Sequence, residues 1–214
     1  MDEIRLVTLG RDHVCAAATL VAQAFRDEPI NGIAIDMDNP RARELYARVS
    51  EGMILWHFAG GHLALGAMAG SQLVAVVVVK SPHDDASLIE TMRIALPRVW
   101  GLLPIVRYVR YRSVLRNLRT FATLGKPPDH VPTPHYTVNA LAVDPDKQGR
   151  GLGRRLMDRA YELASADPAA RGIYLLAGGT RNRTIYERLG YTALHSQEID
   201  GTGVHHMFRA IERS

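Results

Sequence analysis

The chain has 214 residues, 47% of them hydrophobic and 22% charged. That length and balance suit one globular domain and exclude a disordered or collagen-like chain. A net charge of +4 and a pI near 9.4 are a mild hint of anionic partners such as nucleic acid, lipid headgroups or phosphorylated ligands. A single cysteine, Cys15, rules out an intrachain disulfide and reads as a small apolar residue of the first helix rather than a nucleophile.

Residues 4–9 read as a short strand. Val14, Ala18, Val21 and Phe25 then recur at helical spacing, and Asp27-Glu28-Pro29 ends that helix because the residue before proline is pushed out of the helical region. Asn39-Pro40 predicts a second helix start, a cap followed by proline at the first helical position, with Leu45, Val49, Met53 and Trp56 on one face until Gly60-Gly61. Residues 62–68 and 72–80 read as a hairpin whose second strand, with Val76 to Val79, is apolar on both faces and therefore central. Residues 84–124 read as helical with breaks at Pro97 and Pro104, and the four prolines between Lys126 and Pro134 predict a loop.

A strand over 135–143, a turn at Asp144-Pro145-Asp146-Lys147, a helix over about 151–166 and a strand over 172–177 follow. The chain closes with a short helix over 181–189 and paired strands at 191–199 and 203–210. The order is β-α-α-β-β, a helical insert, then β-α-β-α-β-β: an α/β chain with a mixed sheet and helices on both faces. Met1-Asp2-Glu3 is acidic and precedes no apolar leader, and the longest apolar run, Leu73 to Val79, is too short for a bilayer. The expectation is a soluble cytoplasmic protein with no membrane partner.

The most informative stretch is Gln148-Gly149-Arg150-Gly151-Leu152-Gly153-Arg154-Arg155, between a predicted strand and a predicted helix. Alternating glycines let the backbone approach a ligand closely. A helix's first turn offers unpaired N–H groups and the positive end of its dipole, which suits phosphate, and Arg150, Arg154 and Arg155 add charge. The spacing fails the dinucleotide pattern G-x-G-x-x-G, since Arg154 holds the last position, and it lacks the Gly-Lys-Ser/Thr end of a P-loop.

Gln148, Gly151 and Gly153, after Ala142-Val143-Asp144-Pro145, resemble the Gln/Arg-x-x-Gly-x-Gly/Ala acyl-CoA motif of the GNAT N-acetyltransferases. Asn182 with Ile185-Tyr186-Glu187-Arg188-Leu189-Gly190-Tyr191 resembles the family's downstream Asn-x-x-x-Tyr-x-x-x-Gly-Phe block. The resemblance implies a GNAT-like fold over 1–214: a mostly antiparallel sheet with splayed central strands, a helical insert at about 81–134, and acetyl-CoA as co-substrate. It also implies acetyl transfer to a primary amine by direct attack in a ternary complex. Gly149, Arg150, Gly151, Leu152, Gly153 and Arg154 would cradle the pyrophosphate. Leu141, Ala142 and Val143 would lie along the pantetheine arm, Asn182 would bond the cofactor, and Tyr186 would protonate the departing thiolate.

The base stays open among three residues: Asn139, which can only orient a water; His135, which reads equally as a loop-end histidine bonded to backbone; and Glu28, in a loop that often lines the acceptor site. His205-His206 point to opposite faces of a strand and cannot readily share an ion, so no metal is expected.

Residues 91–128 carry eight Lys/Arg and no Asp or Glu, so the rest of the chain is net acidic. Arg107, Arg110 and Arg112 read either as a solvated helix face or as an acceptor-site wall that favours an anionic acceptor. Two other functions stay on the table: a non-catalytic acyl-CoA sensor, and nucleic-acid binding through Tyr108, Tyr111 and Phe121 among the arginines, which no known motif supports. A homodimer is left open.

Overall fold

The computed structural model describes residues 4–25, 28–83, 103–117, 124 and 126–213. β1 (Ile4–Thr8) leads through a 3-10 turn into α1 (Val14–Ala24). The predicted stop at Glu28-Pro29 holds, but Pro29 also serves as the first residue of a short helix, α2 (Pro29–Ala34), too short to show a periodic pattern. In α3 (Pro40–Ala59) the cap works as expected: Asn39 Oδ1 accepts the Arg41 N–H at 2.9 Å.

β2 (Leu63–Ala69) and β3 (Gln72–Lys80) form the hairpin, and every residue from Val74 to Val79 is fully buried. Each such valine stabilises the fold by about 1.5–3 kcal/mol relative to exposure. The described residues of the insert include a 3-10 helix at Leu103–Tyr108, which contains Pro104, and α4 (Tyr111–Arg116). The helical expectation for 84–102 and 118–123 lies outside the described residues.

The chain continues with β4 (Tyr136–Val143), α5 (Leu152–Ser165), β5 (Gly172–Gly178), α6 (Gly179–Glu187), β6 (Thr192–Ile199) and β7 (Thr202–Ala210). The seven strands form one sheet in the order β1-β2-β3-β4-β5-β7-β6, antiparallel except for β4 and β5. One face packs on α1 and α3, through Val76, Val78, Ala140 and Ala142 against Val14, Ala18, Val21 and Ile54. The other packs on α5, through Val77, Val79, Val138 and Leu175 against Leu152, Leu156 and Met157.

Two features open the sheet at its middle. β4 and β5 pair only from Tyr136 to Val138, against Ile173 to Leu175. At the same place the β3–β4 register slips, Val78 facing Ala140 and Val79 facing Val138, so Asn139 is an unpaired bulge residue. A bulge bends its strand and increases its twist, and here it carries the C-terminal half of β4 away from β5. No described helix is long and apolar enough to cross a membrane.

Candidate active site

The gap between the splayed strands is a cleft of about 1260 Å³. On the α5 face its walls are the 147–154 turn and α6; on the opposite face they are the α1–α2 connection and Leu124 of the insert.

The first wall is a cradle of backbone donors. Gly149 and Gly151 have φ of +75° and +74°, which L side chains rarely adopt. Gly151 is the left-handed cap of α5, and its carbonyl accepts the Arg155 N–H. The amides of the following first turn therefore have no partner inside the helix. Gly153 differs: a Cβ there would meet Val143 and Leu141 at 3.6 and 3.8 Å, ordinary contact. That distance explains physically why the motif accepts Gly or Ala at this position.

The strand edge supplies the next donors. The Asp144 N–H bonds the Val74 carbonyl on β3. Because amides alternate along an antiparallel strand, those of Leu141 and Val143 face the opened side. Gln148 Nε2 reaches the Val143 carbonyl at 3.4 Å. Asn139 also lines the cleft, and its buried Nδ2 has no partner among the described residues. An extended acyl-amide chain fits this set: a free strand edge, an unsatisfied donor, and phosphate-suited amides at one end.

Of the expected arginines, only Arg154 lines the cleft, its guanidinium donating to the Arg188 carbonyl at 3.1 Å. Arg155 turns away and donates to the Ile4 carbonyl at 3.2 Å, since successive helical residues point about 100° apart. Arg150 is exposed and outside the lining, and Ala142 is buried in the core beneath α1. Lys147, Arg181 and Arg188 line the cleft instead. Lys147 sits next to Gln148, and the other two flank the Asn182–Tyr186 block, so closeness to the motifs was the available signal.

The three base candidates separate clearly. His135 Nδ1 lies 2.8 Å from the Pro132 carbonyl, its ring packs on Tyr174, and it is not part of the cleft lining. Asn139 is in the lining but carries no ionisable group. Glu28 lines the cleft and is its one described carboxylate. Pro29 holds the Glu28 backbone extended, at φ −71° and ψ 118°. Asn182 Nδ2 donates to Glu28 Oε2 at 2.9 Å, and the Gly178 N–H also donates to the carboxylate. Burial pushes the Glu28 pKa up, and these two hydrogen bonds oppose that shift.

Tyr186 stands in the same cleft, edge-to-face with Tyr191 at 5.9 Å. Burial, reinforced by the nearby Glu28 charge, pushes its hydroxyl well above the ordinary tyrosine range. It is therefore a protonated donor at neutral pH.

His205 and His206 do face opposite ways, His205 to Ser196 Oγ at 2.8 Å and His206 to Tyr174 Oη at 2.7 Å. Among the described residues no group of three His, Cys, Asp or Glu side chains is placed to hold a metal.

Two arginines of the insert, Arg110 and Arg116, are turned onto the protein's own acids. Arg110 pairs with Asp36 at 3.0 Å and Asp38 at 3.3 Å. Asp200, at the β6–β7 turn, receives Arg116, Ser113 and Asn117. Arg107 and Arg112 are exposed and outside the cleft lining.

Residues 115–193, which span this cradle and α6, match the family model described as an acetyltransferase (GNAT) domain. Over that stretch the chain is similar to GNAT acetyltransferases. A mycothiol acetyltransferase from Beutenbergia cavernae is 43% identical over 63 residues, 28% of this chain and 21% of that protein, so the match spans about a fifth of the curated relative. The fold extends over the whole chain. A Corynebacterium glutamicum structure described as histone acetyltransferase HPA2 and related acetyltransferase superposes with a TM-score of 0.67 at 18% identity, covering 100% of this chain and 99% of that one. Arylalkylamine N-acetyltransferase 2 from Aedes aegypti gives 0.60 at 16%, covering 99% and 100%. The seven-stranded, mostly antiparallel GNAT sheet with splayed central strands is thus the fold of this protein.

Proposed function

We propose that this protein is an acetyl-CoA-dependent N-acetyltransferase, a single GNAT-like domain with the 81–134 insert contributing to the acceptor wall. The observation that carries this reading is the cleft between β4 and β5, which has a donor cradle on one face and Glu28 on the other. Acetyl-CoA supplies the acyl group and a thiol leaving group. The first-turn amides of α5, with Lys147 and Arg154, hold its phosphates, and the Leu141 and Val143 edge aligns its extended arm.

Glu28 acts as the general base, taking a proton from the acceptor ammonium so that a free amine can attack. Its burial supports this role, because a raised pKa brings a carboxylate closer to working pH. Tyr186 Oη, kept protonated, donates to the departing sulfur. The Asn139 amide and the open strand edge offer donors to the developing oxyanion. Leu124, from the insert, lines the acceptor side and supports the wall assignment.

The test is CoA release from acetyl-CoA over benzylamine, tyramine, spermidine, glucosamine and a peptide with a free N-terminal alanine. The expected result is release with at least one amine, and loss of roughly 10²-fold or more in kcat/KM for Glu28→Gln. Tight acetyl-CoA binding with no release from any amine would reject the enzyme assignment. Full activity of Glu28→Gln would reject Glu28 as the base.

A further inference from the structure

We propose that Asn182 is a positioning residue for Glu28: with the Gly178 amide it clamps the carboxylate from across the opened strands, and its side-chain amide serves this base rather than the cofactor. The proposal rests on the reading of Glu28 as the base and deepens it.

The two residues are 154 positions apart and come from opposite walls of the cleft. Glu28 precedes α2, whereas Asn182 lies in the first turn of α6, which starts directly where β5 ends. The Glu28 main chain is held at three points. Pro29 restricts it, the Glu28 N–H donates to the Phe25 carbonyl at 3.2 Å, and the Glu28 carbonyl accepts the Asn31 N–H at 3.1 Å. The side chain is then held at its far end. Oε2 accepts from Asn182, and Oε1 lies so close over Gly178 that a Cβ there would stand 2.5 Å from it. The carboxylate thus sits between the Asn182 amide and the open space over Gly178.

Asn182 Nδ2 donates to Glu28 across the cleft, so the side chain that the resemblance gives to the cofactor already has a partner within the protein. The titratable groups facing the carboxylate are Tyr46 of α3 and Tyr186 of α6, both neutral phenols. Opposing the burial of the charge are the two hydrogen bonds, from Asn182 and Gly178. Removing the Asn182 donor must therefore make the charged form harder to reach.

The measurement is a ¹³C-NMR titration of the Glu28 side-chain carboxyl in the full chain labelled on glutamate, assigned by its absence in Glu28→Gln. Calorimetry with CoA runs alongside. In Asn182→Leu the Glu28 midpoint is expected to rise by about one pH unit, with CoA affinity unchanged within about twofold. An unmoved midpoint overturns the proposal. So does a tenfold or greater loss of CoA affinity, since the amide would then be serving the cofactor. Should Asn182→Leu not fold, Asn182→Ser carries the same two measurements. Neither readout needs an acceptor, so a failure here is distinct from failure of the base assignment, which is read from Glu28→Gln turnover.

Discussion

Gly178 leaves the space that the Glu28 carboxylate occupies: a Cβ on Gly178 would lie 2.5 Å from Glu28 Oε1 and 2.6 Å from Ile30 Cγ1. The Gly178 backbone is ordinary extended chain, at φ −96° and ψ 129°, so the requirement is for room and not for a special dihedral. Glu28 Oε1 ends a flexible side chain and can swing away, whereas Ile30 Cγ1 belongs to a stiff β-branched side chain and yields less readily. Gly178→Ala should therefore lower stability by about 1–3 kcal/mol while displacing the base. The expected loss in kcat/KM is about 10²-fold, the penalty of an ångström-scale misplacement. Turnover, CoA calorimetry and thermal melting together check this. An equal fall in CoA affinity would mean that the cradle, not Glu28, had moved.

Tyr186 is pushed up by burial first and by the Glu28 charge second. A phenol held protonated is a poor base and a standing proton donor. Tyr186→Phe keeps the ring against Tyr191 and removes only the donor. It should lower kcat by about 10²-fold or more, with CoA affinity within twofold. In the wild type, this residue should contribute no alkaline loss of kcat near pH 10, where an ordinary tyrosine would ionise. Steady-state rates from pH 6 to 10 on both proteins decide the matter.

Local chemistry was readable in the sequence where it is local in space as well. The Asn39-Pro40 cap, the Gly60-Gly61 stop and the glycine turn before α5 each depend on a few adjacent residues, and each forms where expected. The six-residue α2 was missed because it is too short to show a periodic stripe, and its proline was read only as a stop. The bulge at Asn139 depends on register against β3, which no pattern within β4 reveals. The choice of base was undecided for the same reason. Glu28 stands out only once Asn182 and Gly178 arrive beside it, and His135 is set aside only once its ring is seen against Tyr174. The arginine cluster was read as one charge patch because sequence proximity ignores helical direction, and Arg154 and Arg155 point to different partners.

The glycines of the cradle should respond to alanine in opposite ways. Gly151 has φ +74° with open space around its Cβ position, so Gly151→Ala strains the backbone rather than the packing. The strain is about 1–2 kcal/mol, and relaxing it rotates the first-turn amides of α5. Gly153→Ala adds a methyl at ordinary contact with Val143 and Leu141 on a helical backbone and gains helix propensity. Calorimetry should give a roughly tenfold or greater weakening of CoA binding for Gly151→Ala and unchanged binding for Gly153→Ala. Equal losses would indicate that the ligand needs the space over both glycines.

A buried histidine pair outside the cleft lining makes stability depend on pH. His57, near the end of α3, lies with its Nδ1 2.7 Å from that of His62, and Trp56 packs edge-on against both rings. Burial first, then the His62 and Lys80 charges, bring the His57 pKa down to about 3. The unfolded chain takes up this proton near pH 6.5 and the folded protein only near 3, so between those values the unfolded state binds more protons. The neutral ring's contribution is whole above pH 6.5 and declines as pH falls through that window, by up to about 1.4 kcal/mol per unit for one proton. His57→Gln keeps a polar partner for His62 and removes the titration. Urea unfolding at pH 7, 6 and 5 should therefore show a steeper loss for wild type than for the variant. Parallel curves would mean that His57 titrates normally and that its burial is relieved on protonation.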